Sequence, residues 1–121
     1  MPPPKSDSVF SSFQFAFQGL HTAWRDERNF RVQCLYGVFV LCLLLGLGVT
    51  DIKAVLAIFS VVLLLSAELC NSALERIVDL VSSDWHPLAA QAKDLAAASV
   101  MLISFGSAGI VFYIVIAVCR N

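Results

Sequence analysis

Three long stretches without a charged residue restrict this chain to a membrane-spanning fold. They cover residues 32–50, 54–67 and 95–119 and contain nineteen, fourteen and twenty-five residues. A helix needs about 20 mostly apolar residues to cross a bilayer. Only 14% of the residues are charged and 59% are hydrophobic, whereas soluble domains carry about 25% charged residues. The sequence therefore predicts an all-α membrane protein with three transmembrane helices, over about residues 32–50, 52–70 and 95–119, in a single domain.

The residues before the first span have the periodicity of an amphipathic helix. At helical spacing, one side collects aromatic and apolar residues and the other side is polar. Such a helix lies in the headgroup plane of a membrane, with Trp and Phe at the lipid boundary; the alternative is a soluble helix that covers a core. We predict a surface helix over about residues 8–28, after a Pro-rich lead at residues 1–7 that we expect to be unstructured. The apolar side consists of Phe10, Phe13, Phe17, Leu20 and Trp24.

The basic residues are distributed unevenly between the two ends of the predicted spans. Six lie on the side of the N-terminus and the second loop, and Lys53 and Arg120 lie on the other side. Because Lys and Arg are retained on the cytoplasmic side of a membrane, we predict a cytoplasmic N-terminus. The six are Lys5, Arg25, Arg28, Arg31, Arg76 and Lys93.

One face of the second predicted span becomes polar where the hydrophobic stretch ends, and the helix continues to about residue 81. A charge at the centre of a membrane helix costs roughly 2.5–3.5 kcal/mol, so this face needs a partner. Glu68 alone is also compatible with an interfacial acid, and Asp79 with an ion pair to Arg76 or Lys93. At about 100° per residue, one third of the helix circumference collects five side chains. They are Glu68, Asn71, Ser72, Glu75 and Asp79, called the polar stripe below.

The position of the ionisable groups distinguishes between two classes of membrane protein. An ion or proton pathway needs polar groups through the full depth of the bilayer, but the first span offers only Gln33 and glycines, and the third only serines. Carboxylates and cations at one end suit transfer of a phosphoryl group, which needs Mg²⁺ and cations around phosphates. The sequence has neither GxxxxGK[ST] nor GxGxxG, so a kinase of this sequence is not of the P-loop or protein-kinase type.

Residues 68–79, ELCNSALERIVD, resemble the signature of the prokaryotic diacylglycerol kinase family, E-x-[LIVM]-N-[ST]-[SA]-[LIV]-E-x-x-V-D. The segment departs from it only at Cys70, where the family has a larger aliphatic residue. The resemblance covers nearly the whole chain. Its other matching positions are Gly19-Leu20, Trp24, Glu27, Phe30-Arg31, His86 and Lys93-Asp94.

The resemblance implies a homotrimeric membrane lipid kinase that uses ATP and Mg²⁺. With the orientation predicted above, we expect it in the bacterial inner (plasma) membrane with a cytoplasmic active site, and we expect no nucleic-acid partner. By position, Glu68 resembles the catalytic base for the lipid hydroxyl, and Glu27 and Glu75 resemble the ligands of the metal and nucleotide. Further matches around the nucleotide are Asn71, Asp79, Asp84, His86, Lys93 and Asp94, and those at the lipid site are Trp24, Phe30 and Arg31.

Two points stay open at this level. From the residues alone, Asp84 and His86 also fit ordinary loop positions. The family covers diacylglycerol and undecaprenol as substrates. The run at residues 27–31, ERNFR, looks more like the undecaprenol branch, but the family definition places diacylglycerol first.

Overall fold

The computed structural model describes residues 9–120, which form four α-helices. The three later helices are each long and apolar enough to cross a membrane, and no strand occurs within residues 9–120. This confirms the all-α fold class with three spanning helices after an amphipathic one. Residues 1–8, which include the predicted lead, lie outside the described part of the chain. The helices are α1 (Val9–Asp26), α2 (Arg28–Gly46), α3 (Ile52–Val81) and α4 (Pro87–Cys119).

Helix α1 presents its aromatic side chains outward. Phe10 and Phe17 are 72% and 67% exposed, and Trp24 is 51% exposed, while Ala23 is buried. The guanidinium of Arg31 donates to the carbonyl oxygens of Trp24 and Arg25 at 2.9 and 3.0 Å. These bonds satisfy carbonyl groups that the end of α1 leaves without helical partners, so Arg31 fixes the junction between α1 and α2.

A tight turn joins α2 to α3. The backbone N–H of Val49 donates to the Leu44 carbonyl at 3.0 Å, and that of Gly48 donates to the Leu45 carbonyl at 3.2 Å. This is a Schellman motif, which requires a left-handed residue, and Gly48 has φ +66°. Helix α2 therefore runs from Arg28 to Gly46, shifted toward the N-terminus relative to the span predicted at residues 32–50.

The first residue of the next helix is fixed by a carboxylate. Asp51 accepts from the backbone N–H of Lys53 at 3.0 Å, as an N-cap residue does. This bond holds the pKa of Asp51 below its ordinary value. Helix α3 then continues unbroken to Val81, so the polar stripe lies on one helix as predicted.

The apolar core lies around the first half of α3, before the polar stripe begins. It combines residues of α2, α3 and α4, and Gly37 allows the closest approach. A Cβ on Gly37 would lie 2.9 Å from Val61 Cγ1, so only glycine fits between α2 and α3 at this packing distance. The core consists of Val40, Leu44, Ala54, Ala57, Val61 and Ile114.

A cluster of three hydroxyl groups connects the spanning helices within this core. Ser107 of α4 is 1% exposed. Its Oγ lies 3.0 Å from the Tyr36 hydroxyl of α2 and 2.9 Å from Ser60 Oγ of α3. The hydroxyl of Ser60 also bonds to the carbonyl oxygen of Ala57 at 2.7 Å. The cluster satisfies polar groups that would otherwise be costly in an apolar interior.

Helix α4 begins at a proline that precedes the span predicted at residues 95–119. Pro87 occupies its first turn, where its missing N–H costs nothing. The preceding residue, His86, is the N-cap, and its Nδ1 accepts from the backbone N–H of Leu88 at 3.2 Å. Within α4 only Ser107 and Ile114 are buried.

Candidate active site

The centre of the polar stripe is a buried carboxylate. Glu68 is 2% exposed although it follows directly on the apolar half of α3. The amide Nε2 of Gln33, on α2, donates to Glu68 Oε2 at 3.1 Å. The side chain of Asn29 also acts on Glu68, and the carboxylates of Glu27 and Glu75 repel that of Glu68. The structure therefore brings three of the predicted acids into one electrostatic group.

The next turns of the stripe place an amide beside a second carboxylate. Asn71 is buried, and its Nδ2 donates to Glu75 Oε1 at 3.3 Å. The Asn71 Oδ1 is buried without a hydrogen-bond partner among the described residues. Glu75 lies two turns beyond Glu68, about 10 Å along the helix axis. An acceptor without a partner next to a carboxylate is a suitable place for a cation.

Glu27 lies between α1 and α2 and is joined to α3 by an ion pair. Arg76 NH2 contacts Glu27 Oε1 at 2.9 Å and Asp26 Oδ2 at 3.4 Å. The side-chain hydrogen bond from Arg25 holds the pKa of Asp26 below its ordinary value, with a smaller contribution from Arg76. The alternative pairing of Arg76 with Asp79 is not formed. A pocket of about 320 Å³ beside this ion pair includes Ser72 and the helix α1 residues Gly19, Thr22 and Ala23 in its lining.

A second polar cluster lies at the far end of α3. Lys93 Nζ contacts Asp79 Oδ1 at 2.5 Å, which is one of the two alternatives for Asp79. A cavity of about 280 Å³ there is lined in part by Asp79, Asp84, His86 and Lys93. Asp94 is exposed and does not line this cavity. The predicted nucleotide residues other than Asp94 therefore divide between this cluster and the one around Glu68.

The three predicted lipid-site residues have different environments. Trp24 is half exposed, whereas Phe30 is only 5% exposed. Arg31 is engaged with the carbonyl groups at the end of α1. In this structure, Phe30 packs within the fold and Arg31 fixes a helix junction, so Trp24 presents the largest free surface of the three.

The residues around Glu75 fit a magnesium ion only together with a ligand. Within residues 9–120, no three His, Cys, Asp or Glu side chains are grouped so that they could hold a metal. Mg²⁺ is usually bound by one or two carboxylates plus substrate phosphates rather than by a protein cage. Glu75 and the unpartnered Asn71 Oδ1 supply donors of that kind, whereas Glu27 is engaged with Arg76.

The sequence pattern does not identify Gln33 as part of the site. The structure places it against Glu68. The available signal was an uncharged polar side chain within an otherwise apolar span, because such side chains are costly in a bilayer unless they have a polar partner. Nor does it predict the contact of Arg76 with Glu27, which joins α3 to the junction between α1 and α2.

Known proteins are similar to this chain over most of its length. The family model for prokaryotic diacylglycerol kinase matches residues 14–115. The diacylglycerol kinase of Haemophilus influenzae is 37% identical over 94 residues, which cover 78% of this chain and 80% of the relative. That of Escherichia coli K12 is 36% identical over 97 residues, covering 78% and 77%. One from Helicobacter pylori strain 26695 is 31% identical over 117 residues, covering 94% and 87%. The chain belongs to the prokaryotic diacylglycerol kinase family.

Proposed function

We propose that this membrane lipid kinase transfers the γ-phosphoryl group of ATP to the hydroxyl of diacylglycerol, forming phosphatidic acid. The substrate class is supported by the curated relatives, which are named diacylglycerol kinase. The observation that carries the proposal is the burial of Glu68 at the point where the apolar half of α3 gives way to the polar stripe. A lipid hydroxyl reaches a carboxylate at that depth without leaving the membrane.

The chemistry assigned to Glu68 is that of a general base. The lipid hydroxyl oxygen attacks the γ-phosphorus and forms the new P–O bond. The bond from the γ-phosphorus to the oxygen that bridges it to the β-phosphate breaks, and ADP leaves. The hydroxyl proton passes to Glu68, which must lie within hydrogen-bond reach of that hydroxyl.

Glu75 and Glu27, with Asn71 Oδ1, are the residues proposed to hold Mg²⁺ with the nucleotide phosphates. The ion, when bound, neutralises negative charge that develops on the phosphates. Asn71 holds Glu75 through its amide and leaves its oxygen available. The Arg76 contact with Glu27 keeps that carboxylate near the site before the nucleotide arrives.

The second polar cluster is proposed to contact the rest of the nucleotide. Lys93 neutralises phosphate charge, and Asp79 orients Lys93 through their ion pair. Asp84 and His86 line the same cavity. Asp94 follows Lys93 on α4 and is proposed to bind the nucleotide from the exposed surface. For the lipid, Trp24, Phe30 and Arg31 are proposed to shape the approach to Glu68.

We propose a homotrimer in the bacterial inner membrane, with the N-terminus and the active site on the cytoplasmic side. Two features support an oligomer. Helix α4 buries little of its surface within one chain, and it is rich in small residues such as Gly106 and Gly109, which allow helices to approach closely in lipid. The six basic residues on the side of the N-terminus support the orientation.

Radiolabelled ATP and the purified protein in mixed micelles test the function directly. Diacylglycerol, undecaprenol and no added lipid are offered in parallel, each with and without Mg²⁺. We expect label in the lipid fraction with diacylglycerol and Mg²⁺ only. Label in undecaprenol instead would assign the substrate indicated by the run at residues 27–31. No labelled lipid at all would contradict the kinase reaction and favour the alternative of an ion or proton pathway.

A further inference from the structure

The side chain of Gln33, in α2, has a hydrogen-bond partner for one end of its amide group and none for the other. Gln33 Nε2 donates to Glu68 Oε2 at 3.1 Å. The other end of the amide, Gln33 Oε1, is buried and has no hydrogen-bond partner among residues 9–120. The contact joins α2 to α3 at the level of the proposed base.

An amide at this position is not explained by the packing of the bundle. A buried acceptor without a partner is unfavourable, and most buried polar atoms in proteins avoid that state. Leucine would fill a similar volume and has no polar side-chain atom that needs a partner. The gain from Gln33 must therefore come from its donor group, and the only acceptor that this group contacts among the described residues is Glu68.

Glu68 needs a donor because the charged groups that act on it are acids. Glu27, from the junction of α1 and α2, and Glu75, from α3, both repel its charge. Arg76 is engaged with Glu27 and Asp26. Lys93 of α4 is paired with Asp79, about three turns further along α3. No cation among the described residues contacts Glu68, and its carboxylate accepts a hydrogen bond from Gln33 instead.

We propose that Gln33 is a positioning residue for phosphoryl transfer: it holds Glu68 Oε2, so that the other carboxylate oxygen faces the lipid hydroxyl. The inference rests on the proposed function of Glu68 as base. Gln33 itself does not take part in bond making. It fixes the orientation of the carboxylate, and it stabilises the ionised form, because a hydrogen-bond donor favours the charged state of its acceptor.

The test compares Gln33→Leu with Cys34→Ala, a matched change at the next residue of α2. For Gln33→Leu we expect kcat to fall by about tenfold to a hundredfold, as misplacement of a reacting group by about 1 Å does. KM for lipid and for ATP should change little, because neither substrate loses a binding contact. The acidic limb of the pH–rate profile should move to higher pH. Cys34→Ala should leave all of these values unchanged.

Gln33→Glu tests whether the hydrogen bond to Glu68 is needed, because it keeps the shape of the side chain. The new carboxyl group has nearly the same size but donates only when protonated, so its activity relative to wild type should recover as the pH falls. A kcat for Gln33→Leu equal to that of Cys34→Ala would overturn the proposal. So would a loss of kcat with an unmoved pH profile and no recovery in Gln33→Glu, because a merely structural role produces that result.

A readout without turnover distinguishes failure of this inference from failure of the proposed function. A membrane-permeant carbodiimide modifies protonated carboxyl groups, and mass spectrometry measures its attachment to Glu68 without ATP or lipid. We expect more labelling at neutral pH in Gln33→Leu than in Cys34→Ala. Equal labelling would contradict the contact itself. If wild-type protein labels as expected but phosphorylates no lipid, the proposed function fails while the effect of Gln33 on Glu68 stands.

Discussion

The two halves of α3 are built in different ways. The first half, residues 54–64, is closed by apolar packing against Val40, Leu44 and Ile114, and its buried Ser60 is fully engaged. The second half, residues 68–79, is held by the polar contacts of three side chains, each to a different segment: Glu68 to α2, Arg76 to the α1–α2 junction and Asp79 to α4. Helix α3 therefore combines an apolar half that packs in the core with a polar half that is held by a few polar contacts.

The difference shows where the fold leaves room for other molecules. The two buried side-chain atoms without partners among residues 9–120 are Gln33 Oε1 and Asn71 Oδ1, and both lie beside the second half of α3. Natural proteins rarely bury such atoms unless a ligand, an ion or water completes them. The packed half stabilises the fold. The polar half has buried polar atoms whose partners must come from other molecules.

The strongest test of this division is Glu68→Gln. The change keeps the shape and the possibility of hydrogen bonds but removes the base, so we expect turnover to fall by about 10²- to 10⁴-fold. The fold should survive, because the packed half of α3 is untouched. Transfer of label to lipid and circular dichroism in detergent measure the two effects.

Cys70→Ala is the matched control for Glu68→Gln. Cys70 lies two residues further on the same helix and is exposed, outside the polar stripe. The Cys70→Ala variant should retain wild-type turnover. Turnover by Glu68→Gln at the level of this control would remove the assignment of Glu68 as base.

Glu75→Ala should produce a smaller loss that appears in nucleotide binding. The change removes a proposed metal ligand and leaves Asn71 without its partner. We expect the apparent affinity for Mg·ATP to fall by roughly tenfold or more, in the range typical for disturbed metal sites. Titration of ATP at fixed lipid measures it, and Glu27→Ala should act in the same direction. An unchanged affinity in either variant would exclude that residue as a ligand.

In the packed half, we expect stability to depend on side-chain volume and not on charge. Gly37→Ala places a Cβ 2.9 Å from Val61 Cγ1, and valine is too stiff to move aside. We expect the free energy of unfolding to fall by about 1–3 kcal/mol, as for other overpacked cores. Unfolding by sodium dodecyl sulfate, followed by circular dichroism, measures the loss.

Gly109→Ala provides the comparison for Gly37→Ala. A Cβ on Gly109 meets nothing within 4 Å in this chain, so stability within one protomer should be unaffected. The double variant Gly37→Ala with Val61→Ala should regain part of the lost stability. Equal effects of the two glycine changes would show that the α2–α3 contact does not limit packing.

Much of the fold could be predicted from the sequence because it depends on local patterns. Uncharged stretches indicate the spanning helices, the spacing of Phe10 and Phe17 indicates the amphipathic helix, and Pro87 marks the start of α4. The end of α2 was harder to predict. It depends on a left-handed Gly48, and the two glycines at residues 46 and 48 do not reveal which of them adopts that conformation.

The candidate site was only partly accessible from the sequence. The polar stripe could be predicted because all its members lie on one helix. The contacts of Gln33 with Glu68 and of Arg76 with Glu27 join different segments of the chain. They depend on how α2 and α3 cross, and the period of a single helix carries no information about that crossing.

The smallest expected effect concerns the hydroxyl cluster in the packed half. Ser107→Ala removes the hydroxyl that contacts both Tyr36 and Ser60, while Ser60 keeps its bond to the Ala57 carbonyl. Hydrogen bonds between membrane helices contribute about 0.6 kcal/mol on average and at most about 1.7 kcal/mol. We therefore expect a loss of stability within that range, with lipid phosphorylation nearly unchanged. Ser104→Ala is the control, because Ser104 bonds only to the Val100 carbonyl of its own helix. If Ser107→Ala is no less stable than Ser104→Ala, the apolar contacts around Ile114 suffice to hold α4, and the cluster only satisfies its own hydroxyl groups.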